Sequence, residues 1–283
     1  KSLAFFTNNT WHATDALDIT LGLRYTNEEK SLRSVYSNPN GSAACASALG
    51  NPAQVVGALV ARGLTVAQAS AAAPTVVGNI CLPWANALHN GRSTQQEMEE
   101  KEWSGTIKAA YRWNESVMTY GSFARGYKGG GFNLDRVQTS NGLTSGGAGI
   151  LPVNDTSFPG EFVDSYELGA KTTWMDGNLL FNATFFHQTY DNFQLNSFLG
   201  TSFVVRSIPE VTSKGLDTEV LWQASKGLLL QAGLVYADTV YGDDIPGGDF
   251  LPTGALNKLP GSQISFAPEW SGTAAATYEW DMG

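Results

Sequence analysis

Charge is scarce in this sequence. Of 283 residues only 15% are Asp, Glu, Lys or Arg, against roughly a quarter in a typical soluble domain. No run of Lys and Arg occurs and the net charge is −9, which excludes a nucleic-acid partner, because such a surface clusters cations against phosphate. The three histidines, His12, His89 and His187, are scattered, with no two at ligand spacing, so a metal site has no support. No Ser/His/Asp arrangement can be argued either. The expectation is a protein that is not an enzyme and carries no cofactor. No stretch approaches 18 consecutive apolar residues, which excludes a transmembrane helix. A membrane stays open, since a β-barrel strand needs only about 9–11 residues and turns half of them inward.

Alternation is what the sequence has in abundance. In 17–26, Leu17, Ile19, Leu21, Leu23 and Tyr25 alternate with Asp18, Thr20, Gly22, Arg24 and Thr26. Period two over ten residues is a strand with one apolar and one wet face. The pattern recurs in 103–113 (Trp103, Ile107, Ala109, Tyr111) and in 213–223 (Leu216, Val220, Trp222). It recurs again in 228–236 (Leu228, Leu230, Ala232, Leu234, Tyr236) and in 262–279 (Ile264, Phe266, Trp270, Ala274, Ala276, Tyr278). Segments 2–12 and 116–128 are strands whose face the alternation leaves open.

The connections alternate in length. Short turns fall at 13–16, 114–115, 176–178, 225–227 and 281–283. Long Gly-, Ser-, Asn- and Pro-rich stretches fall at 36–96, 129–160, 196–203 and 242–260. About nine strands follow, with every short turn at one end and every long loop at the other. Such a meander suits an outer-membrane barrel, with short periplasmic turns and long extracellular loops. Five of the eight Trp residues lie close to a short turn. Trp11, Trp113, Trp174, Trp222 and Trp280, with Tyr278, are therefore expected to form an aromatic girdle at one interface. Leu17, Ile19, Leu21, Leu23, Leu228, Leu230 and Leu234 are expected to face lipid. Bacterial barrels have even strand numbers. With its first residues already alternating and no apolar leader, the chain reads as a piece of a longer precursor.

Several segments resemble the barrel of TonB-dependent outer-membrane receptors. They are "ALDITLGLRYTNEEKSL" (16–32), "YGSFARGYKGGGFN" (120–133), "SYELGAKTTWMDGNLLFNATFFHQTYDNFQ" (165–194), "SKGLDTEV" (213–220) and "LPGSQISFAPEWSGTAAATYEW" (259–280). They stand in the family's order and cover nearly all of 1–283 outside the loop 36–96. The resemblance implies a 22-stranded transmembrane antiparallel barrel, an N-terminal plug domain inside it, and energy from the TonB complex acting through that plug. Neither a plug nor a family-typical last strand ending in Phe is found in the chain, which fits a middle portion of the barrel. The implied partners are outer-membrane lipid and lipopolysaccharide, TonB, and a small-molecule or oligosaccharide ligand, in the outer membrane of a Gram-negative cell. Import of a ferric siderophore, a haem- or cobalamin-like cofactor or an oligosaccharide is the leading function. A passive porin and a soluble carbohydrate-binding β-protein are the alternatives.

The loops offer ligand contacts by position only: Tyr127, Asn133, Asp135, Arg136, Asp243, Asp244 and Asp249. The glycines after Lys128 are not a phosphate loop, which needs Gly-Lys-Ser/Thr opening a helix. Glu97, Glu99, Glu100 and Glu102, at a strand start, read as a rim feature. Within 36–96, Asn51-Pro52 starts a helix over 53–61 that Gly63 stops, and Thr65 caps a second over 66–73 that ends at Pro74. Cys45 and Cys81 are the two cysteines. Both lie in this loop, reached through an oxidising compartment, and are expected to be bridged.

Overall fold

The computed structural model describes residues 1–81, 87, 90–133, 155–198, 203–243 and 259–280. Its strands are β1 (Ser2–His12), β2 (Leu17–Val35), β3 (Ser93–Asn114), β4 (Val117–Lys128), β5 (Gly131–Phe132), β6 (Ser157–Phe158), β7 (Glu161–Trp174), β8 (Leu179–Phe198), β9 (Phe203–Ser225), β10 (Leu228–Tyr241) and β11 (Trp270–Tyr278). Nine of them form one open antiparallel sheet in the order β1-β2-β3-β4-β7-β8-β9-β10-β11, while β5 and β6 pair separately. Each strand thus lies beside its neighbour in sequence, as in part of an up-and-down barrel. Six of the nine are 14 residues or longer, well beyond the five or six usual in globular sheets.

The turns at the short end follow from local chemistry. The Thr14 hydroxyl accepts from the amides of Ala16 and Leu17, closing the β1–β2 turn. At the β7–β8 turn, Met175, Asp176 and Gly177 all have positive φ (54°, 54° and 91°), and the Asn178 side chain donates to the Met175 carbonyl at 2.8 Å.

Two boundaries differ from the sequence pattern. β3 begins at Ser93, inside the stretch expected to be loop, because 93–102 extends past the apolar band and has no greasy face to betray it. Conversely, the strand expected over 262–279 exists only from Trp270. Pro268 has no N–H for a ladder, Phe266 has φ 62° and is fully exposed, and Ile264 packs with Ile208, Val211 and Tyr241 in a small core at the long-loop end.

Between β2 and β3 sits a cap of three helices, α1 (Ala43–Gly50), α2 (Pro52–Ala61) and α3 (Val66–Ile80). Gly63 (φ 97°) ends α2 as anticipated, and Thr65 forms a full capping box with Gln68 at the start of α3. Asn51 does not cap α2; its side chain donates to the Ser47 carbonyl of α1 instead. Nor does Pro74 end α3. The carbonyl that it leaves unpaired belongs to exposed Ser70, where water can serve it, while buried Ala69, Ala73 and Val77 hold both halves of the helix in one packed face. Cys45 and Cys81 are disulfide-bonded and at most 1% exposed, at the centre of the core formed with Ala48 and Val77.

Candidate functional site

In an antiparallel pair, residues directly opposite each other point to the same side. The register therefore sorts the whole sheet into two faces. One carries Leu21, Leu23, Ile107, Phe123, Leu168, Phe185, Leu216 and Leu234, most of them exposed. A soluble protein would cover so continuous an apolar surface. Leu17, Ile19, Leu228 and Leu230 lie on this face too, as do Trp11, Trp113, Trp174, Trp222, Tyr278 and Trp280 at its short-turn end. The indoles of Trp113 and Trp174 donate to Thr119 and Thr172, so their polar edges are served on the same face.

A second aromatic tier closes the other end of the band. Tyr25 packs on Trp103 (ring centroids 4.9 Å apart), Phe123 on Tyr166 (5.0 Å) and Tyr236 on Trp270 (4.8 Å). The two tiers are eight residues apart on β7 (Tyr166 to Trp174) and β11 (Trp270 to Tyr278), and ten on β3 (Trp103 to Trp113). At about 3.3 Å per residue and a tilt near 40°, that separation is roughly 20–25 Å, the height of a barrel's lipid-facing band.

The tiers also report the tilt. A line of paired residues that starts at Trp11 runs through Ile19, Ala109, Gly121, Leu168, Phe185, Leu216 and Tyr236 to Trp270. It starts in the lower tier and ends in the upper one. The lower-tier residue on that last strand, Tyr278, is eight residues further on, after eight strand-to-strand steps. One residue of about 3.3 Å per step of about 4.8 Å inclines the tiers by roughly 35° to the hydrogen-bond direction. Tiers that are level around a barrel need just such an incline when strands tilt by about 35–45°. Tyr25 and Trp103, 78 apart in sequence, are neighbours in the upper tier because the register pairs them directly.

The opposite face is polar. Asp18 links His12 and Arg112. Lys108 lies 4.3 Å from the Tyr120 ring centroid, and the Tyr120 hydroxyl meets Thr184 at 3.0 Å. That ring rests across Gly169, where a Cβ would stand only 2.4 Å from it. Asn182 donates to Glu219 at 3.1 Å. Glu167, Lys171 and Asp217 on this face have no ion-pair partner among the described residues. Solvated or partner-facing charge of both signs is what a barrel interior presents.

At the long-loop end β4 and β7 stop early, and β3 and β8–β9 rise on either side of the gap. The segments 129–133 and 155–160 fill it and are tied to both shoulders. On the β3 side, the Gly130 amide donates to Glu100 (3.0 Å), Lys30 to the Gly130 carbonyl, and Gln96 exchanges two bonds with Thr156 (2.8 and 2.9 Å). On the other side, Gln194 donates to the carbonyls of Gly129 and Pro159 (3.1 Å each), and Asn133 exchanges bonds with the Val205 backbone (2.8 and 3.2 Å).

This geometry reassigns two of the residues expected to touch a ligand. Asn133 is 6% exposed, and its amide is spent on Thr156 and Val205. Tyr127 packs its ring on Phe162 in the gap, with its hydroxyl beside Glu100, and burial together with that carboxylate pushes its pKa up. Both are struts of the rim. Asp243 is exposed at the end of β10, while Asp135, Arg136, Asp244 and Asp249 lie outside the described residues. The glutamates divide: Glu100 and Glu102 stand on the polar side, Glu97 and Glu99 on the other. Asn133→Ala should leave the Val205 amide and carbonyl unpaired, at a cost of about 1–3 kcal/mol. Hydrogen exchange at Val205 should accelerate while that at mid-strand amides such as Leu216 stays as it was.

The sequence matches the family described as TonB dependent receptor-like, beta-barrel, over residues 1–283. Among solved structures it is similar to the ferric yersiniabactin uptake receptor FyuA of Yersinia pestis (17% identity, TM-score 0.63, covering 99% of this chain and 32% of that one). It is also similar to the ferric-catecholate import receptor Fiu of E. coli K12 (16%, 0.59, 99% and 32%) and the siderophore receptor PiuA of Acinetobacter baumannii (14%, 0.58, 98% and 31%). The chain thus spans about a third of the length of these receptors. It belongs to the β-barrel family of TonB-dependent receptors.

Proposed function

We propose that this chain is part of the wall of an outer-membrane receptor that imports a scarce, bulky ligand, a ferric siderophore foremost, with energy from the TonB complex. The observation that carries the membrane part is the pair of level aromatic tiers around an apolar band. In this reading Leu17, Ile19, Leu21, Leu23, Leu228, Leu230 and Leu234 meet lipid. The six short-turn aromatics sit at the periplasmic interface, and the long loops with the helical cap lie outside the cell. The polar face lines a lumen that a plug domain occupies. The import part is supported by family membership and by neighbours described as siderophore or ferric-complex receptors.

The test uses the full-length receptor in an iron-starved Gram-negative host lacking its own siderophore receptors. Defined ferric siderophores are supplied singly, with haem, cobalamin and maltodextrins as the other arms. Uptake of one of them should appear with the receptor and vanish when TonB is deleted. Uptake at an unchanged rate without TonB would instead make the protein a passive porin.

A further inference from the structure

The helical cap is built around a gap. A cleft of about 440 Å³ opens between α1, α2 and α3, walled by Ala48 and Leu49, by Ala53 and Val56, and by Ala73 and Val77. Protein interiors leave few voids larger than a water molecule. Here three of the six walls are alanine, and the Cys45–Cys81 bridge ties α1 to the end of α3, so the helices stay together without filling the space. We infer that this cleft is a binding site for a small, uncharged, largely apolar molecule with a hydrogen-bond donor at one end. No strand residue lines it, and the inference does not depend on the import reading.

Size, charge and one polar spot define the ligand. The volume is that of a small-molecule pocket, roughly 300–1,000 Å³, and is too small for a folded partner. Between Arg33 and Arg92 the only Lys, Arg, Asp or Glu is Arg62. It lines a second cleft on the other flank of α2, with Asn51 and Gln54. An ion entering the first cleft would lose its hydration and meet no counter-charge. The polar spot is on α3, where Ser70 and Pro74 line the same wall. Pro74 has no N–H to give the Ser70 carbonyl four residues back, and the Ser70 hydroxyl has no hydrogen-bond partner among the described residues. An O–H or N–H at the end of an apolar molecule satisfies that carbonyl and lays the remainder against alanine, valine and leucine. Filling the cleft also gives α2, which has no fully buried residue, the packing that it lacks.

The probe is octanol carrying a photoreactive diazirine, given to the full-length receptor in phosphatidylcholine nanodiscs, with labelled peptides mapped by mass spectrometry. Label should enter 48–56 and 70–77, and excess 1-octanol should remove most of it. Label that strands such as 228–234 take up by partition from lipid should not be competed. Octanoate, the same chain with a negative charge, should compete poorly. Ala53→Phe, at an exposed position on the wall, fills the cleft and should abolish the competable label. Pro74→Ala returns an intrahelical N–H to the Ser70 carbonyl. Octanol should then compete about threefold less well, the worth of one neutral hydrogen bond. Competition by 1-methoxyoctane, which has no donor, should be as in the wild type. Both variants are first shown to keep a protease-resistant cap. Cap label in the wild type that octanol leaves in place would overturn the site, and equal competition by octanoate would overturn its ligand class. Competable label that persists in A53F would also overturn the site.

Discussion

Leu21→Arg should destabilise the full-length receptor in a bilayer by about 2–4 kcal/mol, the cost of arginine on the lipid face near the midplane of a barrel. Thr20→Arg, one residue away, should cost far less. Leu21 is opposite Ile107 at mid-band and 57% exposed, so the new guanidinium would have hydrocarbon on every side and the nearest polar layer about 10 Å off. Thr20 points to the polar face, where its hydroxyl meets that of Thr10 at 2.9 Å. Its replacement loses one neutral hydrogen bond, about 0.5–1.5 kcal/mol. Reversible urea titration in phosphatidylcholine vesicles compares the two variants directly. Nitroxide labels at 20 and 21 give an independent reading, since only the label at 21 should be reached by a quencher dissolved in lipid. Similar stabilities for both variants would mean that the face assignment is wrong.

The contrast between these neighbours was legible in the sequence because β2 crosses the band, where one face is greasy and the other wet. Alternation is a signature of that difference in surroundings, and it fades where the difference ends. The first residues of β3, STQQ, rise past the band with polar side chains on both faces, and their strand character is invisible to a hydrophobic pattern. The lower aromatic tier could be read from chain order because each member is a few residues from a turn. The upper one could not. Most of its members lie within strands and away from the short turns, and only the register and the tilt make Tyr25, Tyr166 and Tyr236 level. The rim was hidden for a related reason. Asn133 and Tyr127 looked like loop residues available to a ligand, but their partners Val205 and Glu100 are 72 and 27 positions away. Nothing local announces that a side chain will be used as a strut.

The helical cap should depend on its disulfide while the barrel does not. The bridge closes a segment of 36 residues, worth roughly 3–4 kcal/mol in the chain-entropy account of cross-links, a mechanism that is itself model-dependent. The cap has little else to lean on. Among the described residues its buried apolar side chains are only six, Cys45, Ala48, Ala69, Ala73, Val77 and Cys81, and α2 has no fully buried residue. Two of those six are the cysteines themselves, so Cys45→Ala with Cys81→Ala removes both the cross-link and part of the packing. A unit this small has no reserve of several kcal/mol, since even whole domains hold only about 5–15. The ladder between β2 and β3, in contrast, pairs every residue from Leu17 to Val35 with a partner between Ser93 and Tyr111, and no part of it passes through the cap. In the full-length receptor the double variant, or the reduced wild type, should become sensitive to protease between residues 43 and 80. Its main thermal transition and heat-modifiability should stay within error of the oxidised protein. Limited proteolysis with peptide mapping, run beside calorimetry, separates the two responses. A cap that stays resistant after reduction would show that its helices are held by packing alone. A main transition that falls by many degrees would mean that the cap and barrel fold as one cooperative unit.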